Sequence, residues 1–243
     1  MHYVTGTATE LGTRLWSALG TYRYKVFVEL LGWDLPDATE DREWDRFDRP
    51  DTVYVIALSP VGGIAGCARL LPTTRDYLLA DVFPQLLDGC PVPHSATTWE
   101  LSRFAAVDVG ASPGAPHTLG SPRALALLRV AMQEAISRGA RTLVSVSPVA
   151  IQRILTHGGF EYTALGRTHR VDGHSLFACG MTLRPALNSA SGCTAQMPDR
   201  AQRPGMPGSI SPQQAIQFGG DRRAHGTYRV LKTPVLPFPT MKD

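Results

Sequence analysis

The 243-residue sequence lacks several things, and each absence narrows what the chain can do. No apolar run approaches the ~20 residues that a membrane-spanning helix needs, so no membrane role is expected. The opening residues, Met1-His2-Tyr3-Val4-Thr5, have no charged-then-apolar export pattern. Four cysteines (Cys67, Cys90, Cys179, Cys193) are scattered without a C-x-x-C pair. They read as reduced thiols of a cytoplasmic protein, with no metal site. Low-complexity repeats are absent. Lysine is scarce, at three of 24 basic residues, and nothing functional follows from that. A basic stripe through the folded part, the footprint of a nucleic-acid binder, is also missing.

The charge that is present is partitioned. The net is +3, yet residues 186–243 hold 7 basic and 3 acidic groups, so the tail sets the sign. Residues 29–108 hold 6 basic against 14 acidic groups, and residues 109–185 hold 8 against 3. The seven basic residues of the tail are spread over 58 positions without clustering.

Hydrophobic residues make up 43%, ordinary for a globular protein, and residues 1–185 suit one domain with a sizeable core. Residues 52–58 are β-branched and aromatic and read as a strand. A turn at 59–63 and a second strand at 64–71 complete a hairpin. Residues 98–105 read as a third strand. Ser121-Pro122 is an N-cap followed by proline at the first helical position, and Gly139 closes that helix. A strand over 141–147, a helix opened by Ser147-Pro148 and stopped by Gly158-Gly159, and strands over 160–164 and 174–182 follow. This order predicts an α/β (α+β) fold, a mixed twisted sheet flanked by helices. Residues 186–243, with seven Pro and six Gly, read as a disordered tail.

The chemistry concentrates in residues 22–48. Between Trp33 and Asp48 lie seven acidic residues and three aromatics, Trp33, Trp44 and Phe47. A solvated acidic loop has no use for the aromatics. Aromatic rings interleaved with carboxylates suit a cationic, partly apolar ligand, which gains charge pairing and cation–π contact.

Ordered motifs carry a resemblance. They are R-x-x-V-F (Arg23, Val26, Phe27), Trp33, E-x-D-x-F-D (Glu43, Asp45, Phe47, Asp48), G-C-A-R-L-L-P-T-T (66–74), D-V-F-P-Q-L-L-D-G (81–89) and W-E-L-S-R-F-A (99–105). In this order and spacing, over about residues 3–184, the chain resembles the LuxI-type acyl-homoserine-lactone (autoinducer) synthases. The resemblance implies a GNAT-like acyltransferase fold. It implies an enzyme that joins S-adenosylmethionine to an acyl group delivered by acyl carrier protein and releases an N-acyl-homoserine lactone and methylthioadenosine. S-adenosylmethionine is then a substrate, and no cofactor is expected. The family's functional positions fall on Arg23, Phe27, Trp33, Asp45, Asp48, Arg69, Glu100 and Arg103.

Physical reasoning assigns roles beside the resemblance. Acyl transfer needs the substrate amine to lose a proton, and Glu100 is the candidate base, with simple pairing to Arg69 or Arg103 as its alternative. Asp45 and Asp48 either hold cationic groups of the substrate or salt-bridge the arginines, and together with Arg103 they complete the catalytic set. Arg23, Phe27, Trp33, Arg69 and Phe104 form the expected S-adenosylmethionine side. Val144, Ser145, Val146, Ser147, Val149 and Leu176 are candidates for an acyl pocket. In the resembled family a Thr aligned with Ser145 or Ser147 accompanies 3-oxo chains, so serine points to an unsubstituted chain. The stretch Asp172 to Cys179 resembles that of family members associated with medium chains, which implies hexanoyl to octanoyl. Arg153, Arg129 and Arg123, with Arg167 and Arg170, form a basic face suited to docking an acidic carrier protein. A monomer is expected. The alternative is a GNAT N-acetyltransferase using acetyl-CoA, but residues 107–120 hold no Arg/Gln-x-x-Gly-x-Gly/Ala cradle for a pyrophosphate.

Overall fold

The computed structural model describes residues 1–60, 62–110, 121–171, 173–184 and 229–232. The strands are β1 (His2–Thr7), β2 (Val53–Leu58), β3 (Ile64–Pro72), β4 (Thr98–Ala105), β5 (Thr142–Pro148), β6 (Tyr162–Ala164), β7 (His169–Val171), β8 (His174–Thr182) and β9 (Arg229–Lys232). They form one sheet in the order β6-β8-β5-β4-β3-β2-β1-β9, with β7 also on β8. All pairs are antiparallel except β4–β5. The helices are α1 (Ala8–Arg23), α2 (Leu78–Asp81), α3 (Pro122–Ser137) and α4 (Ile151–His157), with a π-helical stretch Tyr24–Leu30 and a 3-10 turn Pro84–Leu87. This is the expected α/β architecture, a mixed sheet with helices on both faces.

Strand alternation sorts the side chains. Val53, Val55, Leu70, Leu101, Leu143 and Cys179 face the cluster under α3 and α4. Tyr54, Ile56 and Cys67 face α1 and the π stretch. Leu71, Val144 and Ala178 face α2 and the 3-10 turn. Three packed regions therefore share one sheet, two of them on the same face.

The hairpin and β4 stand where the sequence reading places them, as does α3. Ser121 Oγ accepts the Ala124 N–H at 3.0 Å, and Pro122 opens the helix. The N-terminal elements escape that reading. Helix α1 begins with a capping box: Thr7 Oγ1 accepts the Glu10 N–H, and Glu10 Oε2 accepts the Thr7 N–H at 2.7 Å. The T-x-x-E signature at 7–10 is the available signal. Ser147-Pro148 does not start a helix. Pro148 ends β5, paired with Leu176, and the helix begins at Ile151 with no side-chain cap. Proline tolerates a strand end as well as a first helical turn, so the dipeptide alone is ambiguous. The expectations for Asp172, for residues 111–120 and for most of the tail lie outside the described residues. Of the tail, Arg229–Lys232 pair with β1.

Gly20 brings α1 close against Trp44 of the acidic loop. A Cβ there would sit 2.6 Å from the Trp44 ring, which itself stacks on Trp16 at 3.7 Å. The Gly20 carbonyl also accepts the Glu43 N–H at 3.1 Å, so this glycine seats the acidic loop on α1. Helix propensity alone would make Gly20→Ala stabilising by up to about 1 kcal/mol. Overpacking against Trp44 reverses the sign, and a loss of roughly 1–3 kcal/mol is expected. Urea unfolding checks this; a midpoint that moves upward contradicts the packing argument.

Candidate active site

Three arginines from α1, β3 and β4 and three carboxylates from one loop close a ring on the α1 side of the sheet. Arg23, at the end of α1, donates its Nε to Glu43 at 2.5 Å and both Nη groups to Asp48 at 2.7 and 3.0 Å. Arg103 on β4 donates Nη2 to Glu43 Oε1 at 2.9 Å and to Asp45 Oδ2 at 2.8 Å. Arg69 on β3 donates Nη1 to Asp45 Oδ1 at 2.6 Å and lies 3.2 Å from Asp48 Oδ1. Each cation thus bridges two anions and each anion two cations. The loop supplying the anions folds on its own backbone: the Asp45 N–H donates to Asp48 and the Phe47 N–H to Asp45. Tyr54 on β2 donates its hydroxyl to Asp48 at 2.8 Å, and Ser102 accepts the Arg69 Nε at 3.0 Å.

Aromatic rings cover the guanidinium planes. Arg23 lies over Trp44 at 5.0 Å, Arg103 over Phe27 at 5.7 Å and Arg69 over Phe47 at 5.8 Å. Arginine suits such positions because its planar fork binds carboxylates and stacks on rings together. Burial alone would push the Glu43 and Asp48 carboxyls upward. The guanidiniums of Arg23 and Arg103 hold Glu43 below the usual carboxylate range, and Arg23 and Arg69 do so for Asp48. Burial and the Asp48 charge raise the Tyr54 hydroxyl far above its ordinary value. Asp45 is the most open ring member, at 12% exposed.

Glu100 behaves oppositely. It is fully buried on β4, and its carboxylate accepts the Leu78 N–H at 2.9 Å and the Leu79 N–H at 2.8 Å at the start of α2. Burial raises its pKa to about 7, although those two N–H groups and Arg69 pull the other way. The alternative of an ion pair with Arg69 or Arg103 is not what forms; both guanidiniums give their bonds to the ring or to Ser102. A carboxyl that titrates near neutrality is poised to take and return protons.

The pairing of β4 with β5 stops at Glu100. The β4–β5 ladder covers Thr98–Thr142, Trp99–Leu143 and Glu100–Val144, and ends there, while both strands run on. On its other edge, β4 slips register against β3 between Cys67 and Arg69. Arg103 absorbs the slip with φ +47°, and its carbonyl accepts the Cys67 thiol at 3.1 Å. This is a β-bulge, which bends β4 just beyond Glu100.

The other candidates divide. Phe27 is buried and stacks on the half-buried Trp33 at 5.0 Å, joining the α1-side cluster. Phe104 packs against the α3-side cluster, away from the ring. The six acyl-pocket candidates do not share one lining. Val144, Val146 and Leu176 belong to the cluster beside α2, and Val149 packs under α3. Ser145, opposite Cys179, points to the α3 face and bonds Ser147 at 3.0 Å. The period of two along β5 enforces this split. Among the basic residues, Arg129 and Arg153 are exposed, whereas Arg123 is partly covered, 3.8 Å from Asp108. Arg129 also lies over Phe160 at 5.5 Å. Sequence reasoning omits Glu43 from the site, although it stands at the head of the E-x-D-x-F-D motif. It also omits Tyr54 and Ser102, which carry no motif signal of their own.

A model of the autoinducer synthase family matches residues 11–184. The acyl-homoserine-lactone synthase of Acinetobacter nosocomialis is 44% identical over 180 residues, spanning 74% of this chain and 98% of that protein. The structure of TofI in a ternary complex with an inhibitor and MTA aligns with a TM-score of 0.65 at 41% identity, covering 75% of this chain and 92% of the other. MesI, a CoA-dependent acyl-homoserine lactone synthase, aligns with a TM-score of 0.62 at 27% identity, covering 75% and 89%.

Removing one anion tests the ring. Glu43→Gln leaves Arg23 and Arg103 buried beside a neutral amide, and breaking a buried pair in this way costs about 3–5 kcal/mol. Thermal melts followed by circular dichroism are expected to fall by roughly 6–20 °C, at about 2–4 °C per kcal/mol for a domain of this size. An unchanged Tm contradicts the ring's structural weight. Because the Glu43 and Asp48 pKa values are depressed in the fold, their stabilisation is present above the unfolded carboxylate range near pH ~4 and fades as pH falls below it.

Proposed function

The chain belongs to the autoinducer synthase family and is an enzyme of the acyl-homoserine-lactone synthase type, and from that premise we propose that it acylates S-adenosylmethionine with a medium-chain, unsubstituted acyl group taken from acyl carrier protein. The observation that carries the reading is Glu100, buried, with a pKa of about 7, at the position where the β4–β5 pairing ends.

The methionyl amine attacks the thioester carbonyl. Its ordinary pKa, ~7.7–8.0 for an α-amino group, lies close to that of Glu100, so the transfer is nearly isoenergetic. Glu100 exposes no surface, and a water carries the proton between amine and carboxylate. Main-chain N–H groups of β4 beyond Glu100, aimed by the bulge at Arg103, receive the oxyanion. Collapse expels the thiol of the carrier's prosthetic arm and leaves the amide. The methionyl carboxylate then attacks the carbon beside the sulfonium, the C–S bond breaks, and methylthioadenosine departs as the lactone closes. This second step needs no base, and positioning does the work.

The ring is neutral in total, so it serves as a rigid floor, with Asp45 its outward-facing carboxylate toward the cationic substrate. The Phe27–Trp33 stack supplies an apolar wall for the sulfonium or nucleoside. The apolar cluster of Val144, Val146 and Leu176 receives the acyl chain. Exposed Arg129 and Arg153, with Arg167 and Arg170, give an acidic carrier protein a surface to dock on. The MesI likeness makes acyl-CoA the donor to test against it.

Purified protein given S-adenosylmethionine and octanoyl carrier protein is expected to yield octanoyl-homoserine lactone and methylthioadenosine in equal amounts by mass spectrometry. Octanoyl-CoA is expected to be the poorer donor. An acylated amine without methylthioadenosine, or turnover only with acetyl-CoA, returns the chain to the N-acetyltransferase alternative.

Glu100→Gln is expected to lower kcat by about 10²–10⁴-fold. In the unaltered enzyme the rate rises with pH through about 7, because protonated Glu100 cannot accept a proton. The variant loses that limb and keeps only the limb of the substrate amine. If the pH profile of Glu100→Gln matches that of the unaltered enzyme, Glu100 is not the base.

A further inference from the structure

In the proposed reaction the acyl chain lies along the cluster beside α2, which has two walls. One wall is the sheet, where Val146 and Leu176 stand on β5 and β8, locked by a continuous antiparallel ladder. The other is the segment 73–97, which holds only α2 and the 3-10 turn, four residues each. That segment is pinned at its base, where Thr73 Oγ1 donates to the Ser95 and Thr98 carbonyls. It is pinned again at its middle, where Leu78 and Leu79 donate to Glu100. Its far end carries Leu86 and Leu87, both buried in the cluster. From Val144, abreast of Glu100, to Pro148, paired with Leu176, the sheet wall runs four residues, roughly 13 Å.

One side chain ties that far end to the sheet wall. Asp88, directly after the 3-10 turn, holds a left-handed backbone at φ +48°. Its carboxylate accepts the main-chain N–H of Arg167, the Arg167 Nε at 3.4 Å and His169 Nε2 at 2.9 Å. These partners lie on the β6–β7 connection and on β7, strands that pair with β8. Beside them, a Cβ on Gly166 would collide with the Leu86 carbonyl, so the two walls touch backbone to backbone. Leu165, next in the chain, packs into the same cluster. Those bonds from Arg167 and His169 hold the Asp88 carboxyl down at about 2, ionised across the working pH range.

A left-handed aspartate costs conformational energy that asparagine or glycine would lessen, and three donors converge on a side chain that is only 19% exposed. Neither feature serves the ring or the base. Both serve the closure of the apolar cluster at the end opposite Glu100. We propose that Asp88 is a specificity-determining residue: by stapling the 3-10 turn to the β6–β7 connection, it limits how far the two walls part and so sets the longest acyl chain that the enzyme accepts. The inference rests on the proposed acyl transfer and on the chain lying along this cluster.

The test uses full-length protein with S-adenosylmethionine and carrier proteins loaded with hexanoyl through dodecanoyl chains. Asp88→Ala removes all the side-chain acceptors, and Asp88→Asn keeps the shape while removing the charge. In Asp88→Ala the kcat/KM ratio of dodecanoyl to octanoyl donor is expected to rise at least tenfold, with Asp88→Asn intermediate. The KM for S-adenosylmethionine should stay within twofold, because the staple is remote from the ring. His169→Gln, which retains a donor toward Asp88, should keep the unaltered profile. Should Asp88→Ala fold and turn over with an unchanged chain-length profile, Asp88 is only a structural tether and the inference fails. If Asp88→Ala does not fold, the profile of Asp88→Asn decides by the same criterion. If the unaltered protein makes no lactone with any chain, the proposed function fails first, and that result is distinct from an unchanged profile.

Discussion

The ring Arg23–Glu43–Arg103–Asp45–Arg69–Asp48 is the constraint on which the rest of the active face depends. Three of its members come from one loop, and the others from α1, β3 and β4. No pair of these elements is held in place by sequence proximity. Burying six charges is costly, and only mutual pairing with near-complete satisfaction of donors makes it tolerable. The geometry is therefore close to all-or-none: a ring with one member displaced leaves one buried charge unbalanced and two partners each short of a counter-ion. That property gives the loop 43–48, which has no regular secondary structure, a single position over the sheet.

A rigid, neutral ring also explains the division of labour between carboxylates. Glu43 and Asp48 sit between guanidiniums and stay ionised, whereas Glu100 sits among leucines and valines with two N–H donors and titrates near 7. The same side-chain chemistry yields a structural anion in one place and a poised proton acceptor in another, through environment alone. The two environments are adjacent on the same face, since Arg69 and Asp45 are the charged groups that Glu100 feels. The end of the β4–β5 pairing and the bulge at Arg103 lie at their junction. The ring and the buried Glu100 are in this way assembled from α1, β3, β4 and one loop.

Much of this was legible in the residues. The hairpin, β4 and α3 follow from β-branched runs, a turn and an N-cap followed by proline. The resemblance carried by the ordered motifs names the three arginines and two of the three acids that the structure joins in the ring. What escaped has physical reasons. Helix α1 starts from a capping box rather than from a strong apolar stripe. The helix expected at Ser147-Pro148 is a strand end, because Pro148 is held in register by β8. The acyl-pocket candidates, adjacent in sequence, fall on opposite sheet faces because strand side chains alternate. Glu43 was visible in the motif yet unassigned, since nothing local distinguishes an acid that will bridge two arginines from one facing solvent.

The sequence by itself determined the family, the fold class and which residue types carry the chemistry, because these rest on local propensity and on ordered motifs along the chain. Only the tertiary structure decided which carboxyls are held ionised between guanidiniums and which one burial pushes toward neutrality. That choice depends on the dielectric and the partners around each oxygen, and those partners arrive from positions tens of residues away.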